Sequence, residues 1–327
     1  MLDRAVRLVR HLVALLIGAV WSAWASPARA ECIDAPDLAA YQTALPQDFA
    51  YGATRSDRLG RVVAPVSVNG QGPFRFIVDT GANRSVVSQA LAEQLGLPFN
   101  GSGEVHSVHG VTVAPLVEVG SLQYGQLSLG TAAMPMLQGA VLAGEHGLLG
   151  VDGMRGRRLR MDFERHCIEI IPSREARRLR GWARLNGEMR FGHLVVVRGS
   201  INGIRTHLLV DTGSDTSLAN EALRDAVNLR VRRNRARVHF ASTSEPIVLD
   251  RSIFLPRMRM GELEVRNVTA YVGDFHIFRI WDLTDEPTLL IGMDVLSQSR
   301  GLAIDYERGA VYLHIRDPLE FGTRLRD

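Results

Sequence analysis

The residues best suited to chemistry in this chain are two aspartates that head identical tripeptides. Asp79-Thr80-Gly81 and Asp211-Thr212-Gly213 each follow an apolar pair ending in valine, Ile77-Val78 and Leu209-Val210. At average composition one Asp-Thr-Gly arises at roughly one position in several thousand, and alone it reads as an ordinary turn after a strand. Two copies at matching places in a repeated unit are far more specific. Two carboxylates about 3 Å apart cannot both ionise, so one stays protonated while the other is a base. Such a pair titrates as a unit. It can hold one water, take a proton from it as it attacks a carbonyl, hydrogen-bond that oxygen from the neutral partner, and then protonate the departing nitrogen. Gly81 and Gly213 let the chain turn directly after each aspartate. Thr80 and Thr212 supply hydroxyls able to bond across to the opposing loop. The next residues differ, Ala82 against Ser214. The Ser214 hydroxyl is expected to donate to Asp211 and favour its charged form, leaving Asp79 as the proton carrier.

The elements that must position these residues are written twice. Residues 62–87 and 194–219 share one order: a β-branched run, an Asn-Gly pair (Asn69-Gly70; Asn202-Gly203), a second apolar run, then Asp-Thr-Gly. Asn-Gly between two such runs is a strong hairpin signal, because both residues tolerate positive φ. The first copy has extra residues beside its turn, which predicts a longer loop. A short helix is expected after each copy, over residues 88–95 with Gly96 and Pro98 as stop signals, and from Asn220 towards Asn228. Further on, Gly147-Leu148-Leu149-Gly150-Val151-Asp152 matches Leu289-Leu290-Ile291-Gly292-Met293-Asp294. Met161-Asp162-Phe163-Glu164-Arg165 likewise matches Ile304-Asp305-Tyr306-Glu307-Arg308. The recurring Asp152, Asp294, Asp162 and Asp305 are expected to serve as caps or turn bonds. Short runs rich in Val, Leu, Thr and Gly fill the intervals, so the expected class is all-β.

The chain resembles the retropepsin/pepsin group of aspartic proteases, and is most similar to bacterial retropepsin-like proteases. The resemblance covers residues 59–172 and 190–316. It rests on Asp79-Thr80-Gly81-Ala82, Asp211-Thr212-Gly213-Ser214, Leu148-Leu149-Gly150 and Leu290-Ile291-Gly292. It implies two acid-protease lobes in one chain, related by a pseudo-two-fold axis around a central cleft, with Asp79 and Asp211 catalytic. The two apolar-apolar-Gly strands would pass behind the catalytic loops and support them. The implied activity is peptide-bond hydrolysis without a cofactor, acting on protein or peptide substrates as a monomeric pseudodimer. A non-catalytic peptide-binding module on the same fold is the alternative. Flaps are expected near residues 105–111 and 238–244, without a pepsin-type tyrosine. His106 and His109 in the first flap have a spacing able to bind metal, but no third ligand is evident, so no metal site is assigned. The 173–189 stretch between the lobes reads as an Arg-rich, partly helical linker. Residues 31–58 are an N-terminal segment with a possible propeptide role, and 317–327 a tail.

Residues 1–30 read as an export signal: Arg4, Arg7 and Arg10, an apolar run from Leu12 to about Ala25, and Ala28-Arg29-Ala30 at the cut. The apolar run falls short of the ~20 residues a membrane helix needs. The expected location is therefore periplasmic or secreted, with membrane attachment only if the signal is retained. The whole chain has a formal net charge of +3, all of it in this leader. Every basic residue is Arg. The charge of the remainder gives no support for nucleic-acid binding, and the clusters at 174–184 and 230–237 read as solvated faces. Cys32 and Cys167 either pair in an oxidising compartment or stay as thiols. No Cys/His spacing reads as zinc-binding, and no serine-nucleophile elbow, His-Glu-x-x-His or phosphate loop is found.

Overall fold

The computed structural model describes residues 33–34 and 61–315, excepting 109, 125–126, 130–131, 139–141, 165–166, 177 and 241–246. The leader, most of the 31–58 segment, the tail and Cys32 lie outside the described residues, and with Cys32 the question of its pairing with Cys167. Strands dominate and form two sheets of nine and thirteen strands. The two sequence copies build the same local unit. In the first, strands Val63–Val68 and Gln71–Val78 form a hairpin; in the second, Leu194–Ile201 and Ile204–Val210 do so. Asn69 and Gly70 have φ of 50° and 73°, and Asn202 and Gly203 have 50° and 86°. Both central residues are left-handed, the twist that suits a two-residue hairpin turn. The two turns are thus equally tight, since Val68 pairs with Gln71 as Ile201 pairs with Ile204. The extra length of the first copy is taken up as a bulge, a register shift between Val66 and Val68, rather than as the longer loop expected.

Each hairpin then receives a parallel strand from later in its own copy. Gly147–Leu149 pairs with residues 76–78 of the first hairpin, and Thr288–Ile291 with residues 207–210 of the second. These strands are apolar because both faces are covered; Leu289, Leu290 and Ile291 are fully buried. Burying each such side chain stabilises the fold by about 1.5–3 kcal/mol. The helices fall where the sequence signals put them. Gln89–Gln94 is capped by Ser88 Oγ, which accepts from Leu91 N at 3.1 Å. Glu221–Val227 is capped by Asn220 Oδ1, which accepts from Leu223 N at 2.8 Å, and ends at left-handed Asn228.

Sequence order and sheet membership part company after residue 156. Strands Arg157–Asp162 and Cys167–Pro172 belong to the thirteen-stranded sheet, where Arg157–Asp162 pairs with Gly301–Asp305. The hydroxyl of Tyr124, in the nine-stranded sheet, donates to Ile168 O at 2.8 Å and ties the two sheets together. The stretch expected to be a partly helical linker holds only a single 3-10 turn, Ser173–Glu175. From Ala183 to Arg190 it is a strand, paired with Ala310–His314 at one end and with Leu194–Ile201 at the other. Its odd positions turn inward, with Leu185 buried, while Arg184, Asn186 and Glu188 face out. That two-residue alternation is a strand pattern, which the arginine content hides.

Candidate active site

Both Asp-Thr-Gly loops leave the ends of their hairpins and meet. Each aspartate is fixed from behind by the strand beside it: Asp79 N donates to Leu149 O at 2.9 Å, and Asp211 N to Ile291 O at 3.0 Å. The threonines lock the loops to each other. Thr80 Oγ1 donates to Val210 O at 2.8 Å, and Thr212 Oγ1 donates to Val78 O at 2.7 Å. Each hydroxyl also accepts from the other threonine's N–H, at 3.2 and 3.1 Å. Four reciprocal bonds between buried groups leave no donor unsatisfied, so the two loops hold one relative position.

The carboxyls of Asp79 and Asp211 lie within hydrogen-bonding reach of each other. The glycines permit this approach. A Cβ on Gly213 would stand 2.2 Å from Asp79 Cγ, and one on Gly81 would stand 2.7 Å from Asp211 Cγ. Neither glycine has a positive φ. Their role is therefore room for the opposing carboxyl, not the backbone turn that the sequence suggests. Gly81 N and Ala82 N donate to Asp79 Oδ1 at 2.9 and 3.0 Å, and Gly213 N donates to Asp211 Oδ1 at 2.9 Å.

Burial raises the pKa of Asp79, but the hydrogen bond from Asp211, the backbone N–H groups of Gly81 and Ala82, and the nearby Arg61 charge oppose it. Burial raises Asp211 much further, and the Asp79 charge adds to the effect. Burial and the Asp79 charge therefore favour the shared proton on Asp211. The bond expected from the Ser214 hydroxyl to Asp211 is not made. The Ser214 hydroxyl donates instead to Thr216 O, two residues on, at 2.7 Å. It is not available to stabilise charge on Asp211.

The supporting strands do more than back the loops. Ser85 Oγ donates to Asp152 Oδ1 at 2.7 Å and accepts from Gly150 N at 3.1 Å. In the second copy Ser217 Oγ donates to Asp294 Oδ1 at 2.8 Å and accepts from Gly292 N at 3.1 Å. Gly150 and Gly292 admit close backbone: a Cβ there would stand 2.5 Å from Arg84 C and 2.6 Å from Thr216 O. Leu148 lines the cavity, Leu149 and Leu290 are buried, and Ile291 carries the carbonyl that holds Asp211. Ser85 and Ser217 went unread in the sequence, although both stand six residues after their aspartate. Asp162 and Asp305 differ from the other pair and from each other: Asp162 accepts from Glu164 N, and Asp305 from Ser173 Oγ and from Arg308.

The aspartates lie at the floor of a cavity of about 520 Å³. Strands Phe99–His106 and Val111–Val119 form a hairpin whose tip covers it, Ser107 N bonding Gly110 O at 2.9 Å. The tip reaches the other half of the chain. Val108 packs on the apolar cluster containing Phe278 and Trp281, and His106 stacks on His276 with ring centroids 5.4 Å apart. His109 lies outside the described residues, as do residues 241–244 of the second expected flap. Arg61, Phe191, His193, Ile280 and Trp281 also line the cavity. None has a local sequence signal, because their placement depends on how distant segments meet. Among the described residues no group of three or more His, Cys, Asp or Glu is arranged to hold a metal ion.

A family model described as aspartyl protease matches residues 64–152 and 197–295, one segment in each copy. No curated protein matches the chain.

Proposed function

The chain belongs to the aspartyl protease family, and from that footing we propose that it is an active endopeptidase using Asp79 and Asp211. One observation carries the reading: two buried carboxyls within a hydrogen bond of each other, able to share one proton, beneath a hairpin whose tip lines the cavity. A water between them loses a proton to Asp79 as its oxygen attacks the peptide carbonyl carbon. The Asp211 O–H supports the oxyanion and then supplies the proton for the departing nitrogen as the C–N bond breaks. The products are a carboxylic acid and an amine. A proton passing from Asp79 to Asp211 across their shared hydrogen bond restores the starting state.

The substrate in this reading is an extended peptide with apolar side chains near the scissile bond. Ile77, Leu137 and Leu148 form one apolar wall and Ile277, Ile280 and Trp281 the other. Export of the chain with loss of residues 1–30 belongs to the same proposal, and N-terminal sequencing of the exported protein checks it. The functional test is a peptide library incubated with purified protein between pH 3 and 7, with and without pepstatin. Pepstatin-sensitive cleavage beside apolar residues is expected. Absence of any cleavage across that range would favour the non-catalytic peptide-binding module.

A further inference from the structure

A second cavity, of about 730 Å³, lies at the junction of the segment 176–184 with the strands that join the two halves of the chain. Five arginines line it: Arg158, Arg178, Arg180, Arg184 and Arg308. Among the described residues no aspartate or glutamate does. Their sources are separate: Arg158 comes from strand Arg157–Asp162, Arg178 and Arg180 from the connecting segment, Arg184 from strand Ala183–Arg190, and Arg308 from the turn after Asp305. Arg158 is 4% exposed, whereas Arg178, Arg180 and Arg184 are open to solvent. The adjacent carboxylate, Asp305, is already engaged by Ser173 Oγ at 2.7 Å and by Arg308 at 2.8 Å. Among the described residues no ion pair engages Arg178, Arg180 or Arg184.

The exposed guanidinium groups of Arg178, Arg180 and Arg184 around one concavity repel one another, and an anion among them relieves that repulsion. Guanidinium matches phosphate oxygens through paired N–H donors and stays charged at any physiological pH. Two aromatic residues line the wall: Trp182 stacks on His314 with centroids 4.9 Å apart and has Arg160 5.7 Å from its ring centroid, and Tyr312 is half-buried. The arginines make charge the basis of recognition here. We infer that this cavity binds a multiply charged, phosphate-bearing anion, held by Arg178, Arg180, Arg184 and Arg308. Such a ligand bridges the connecting segment to the strands that join the two halves. The site is separate from the aspartate pair and does not depend on proteolytic activity.

Titration calorimetry of the purified protein with inorganic tripolyphosphate, at ionic strength held constant with chloride, tests the site. One molecule per chain is expected, with affinity at least tenfold weaker in the R178A/R180A/R184A variant. The unfolding midpoint of that variant without ligand should equal that of wild type, while tripolyphosphate should raise only the wild-type midpoint. ATP should bind no more tightly than tripolyphosphate. Sedimentation with phosphatidylglycerol vesicles separates the sources of the phosphate. Arginine-dependent co-sedimentation that tripolyphosphate reverses assigns it to a lipid headgroup, and binding in solution without co-sedimentation assigns it to a free anion. Equal affinity in the triple variant, or several weak sites per chain, would overturn the inference.

Discussion

At Asp211, burial and the neighbouring carboxylate both penalise charge; the backbone N–H groups of Gly213 and Ser214 oppose them, while the Ser214 hydroxyl is committed to Thr216 O. At Asp79 the penalty of burial is opposed by two backbone N–H groups and by Arg61. These differences favour the shared proton on Asp211 and yield paired expectations. Arg61→Ala removes a charge that favours the Asp79 anion, so the acid limb of the pH–rate profile should move to higher pH. Ser214→Ala should leave that limb where it is. A shift in the serine variant with none in the arginine variant would contradict the assignment. The aspartates themselves were legible because each motif occurs twice in the same frame. The partner of Ser214 was not, because two acceptors lay within its reach and only the loop's conformation selects one. Ser85 and Ser217 were readable in principle from their equal offsets; a serine after a turn gives no chemical signal unless the repeat is aligned residue by residue.

The two Asp-Thr-Gly loops are held as elements by reciprocal bonds, not by propensity. Removing the Thr212 hydroxyl leaves Val78 O without its donor and Thr80 N without its acceptor, both buried. Thr212→Val should cost about 2–3 kcal/mol of stability by thermal or urea unfolding, as expected for buried groups left unpaired. Thr212→Ser, which keeps the hydroxyl, should recover most of it. Gly213→Ala places a methyl within 2.2 Å of Asp79 Cγ. The carboxyls must then separate, and kcat should fall by about 100-fold or more, since a displacement of one ångström at a reacting group is enough for that loss. Hairpins, the two helices and the supporting strands were legible from Asn-Gly pairs, the stop signals Gly96 and Pro98, and the buried apolar runs. The strand Ala183–Arg190 was not, because its arginines suggest a solvated linker while its alternation is carried by Ala, Leu, Gly and Met. The seat of Val108 against Phe278 and Trp281 joins residues about 170 positions apart, which no local pattern encodes.

Across the whole molecule, the sheet that joins the halves and the aspartate pair pull stability in different directions. Strand Arg157–Asp162 completes a sheet built mostly from the second copy, so neither copy buries its apolar surface alone. The aspartates oppose this. Asp211 has a folded pKa raised above its unfolded value. Its contribution is fully present below about pH 4, the unfolded aspartate range, and is lost as pH rises through the raised folded value. The unfolding midpoint should accordingly fall over that window, and Asp211→Asn should flatten the slope and raise the midpoint at neutral pH. A wild-type midpoint that climbs with pH there, with no change in the variant, would mean the pair is not buried as described. The two-lobed architecture was legible from duplication; the exchange of strands across the junction was not, because pairing partners in a sheet are set by tertiary contact.

The most direct measurement compares rates of peptide cleavage by wild type, Asp79→Asn and Asp211→Asn at the wild-type pH optimum, each shown by thermal unfolding to be folded. If one proton and one water are shared between the two carboxyls, both variants should lose at least about a thousandfold in kcat, the scale on which members of a catalytic unit fail together. Wild-type turnover in either variant would contradict the account.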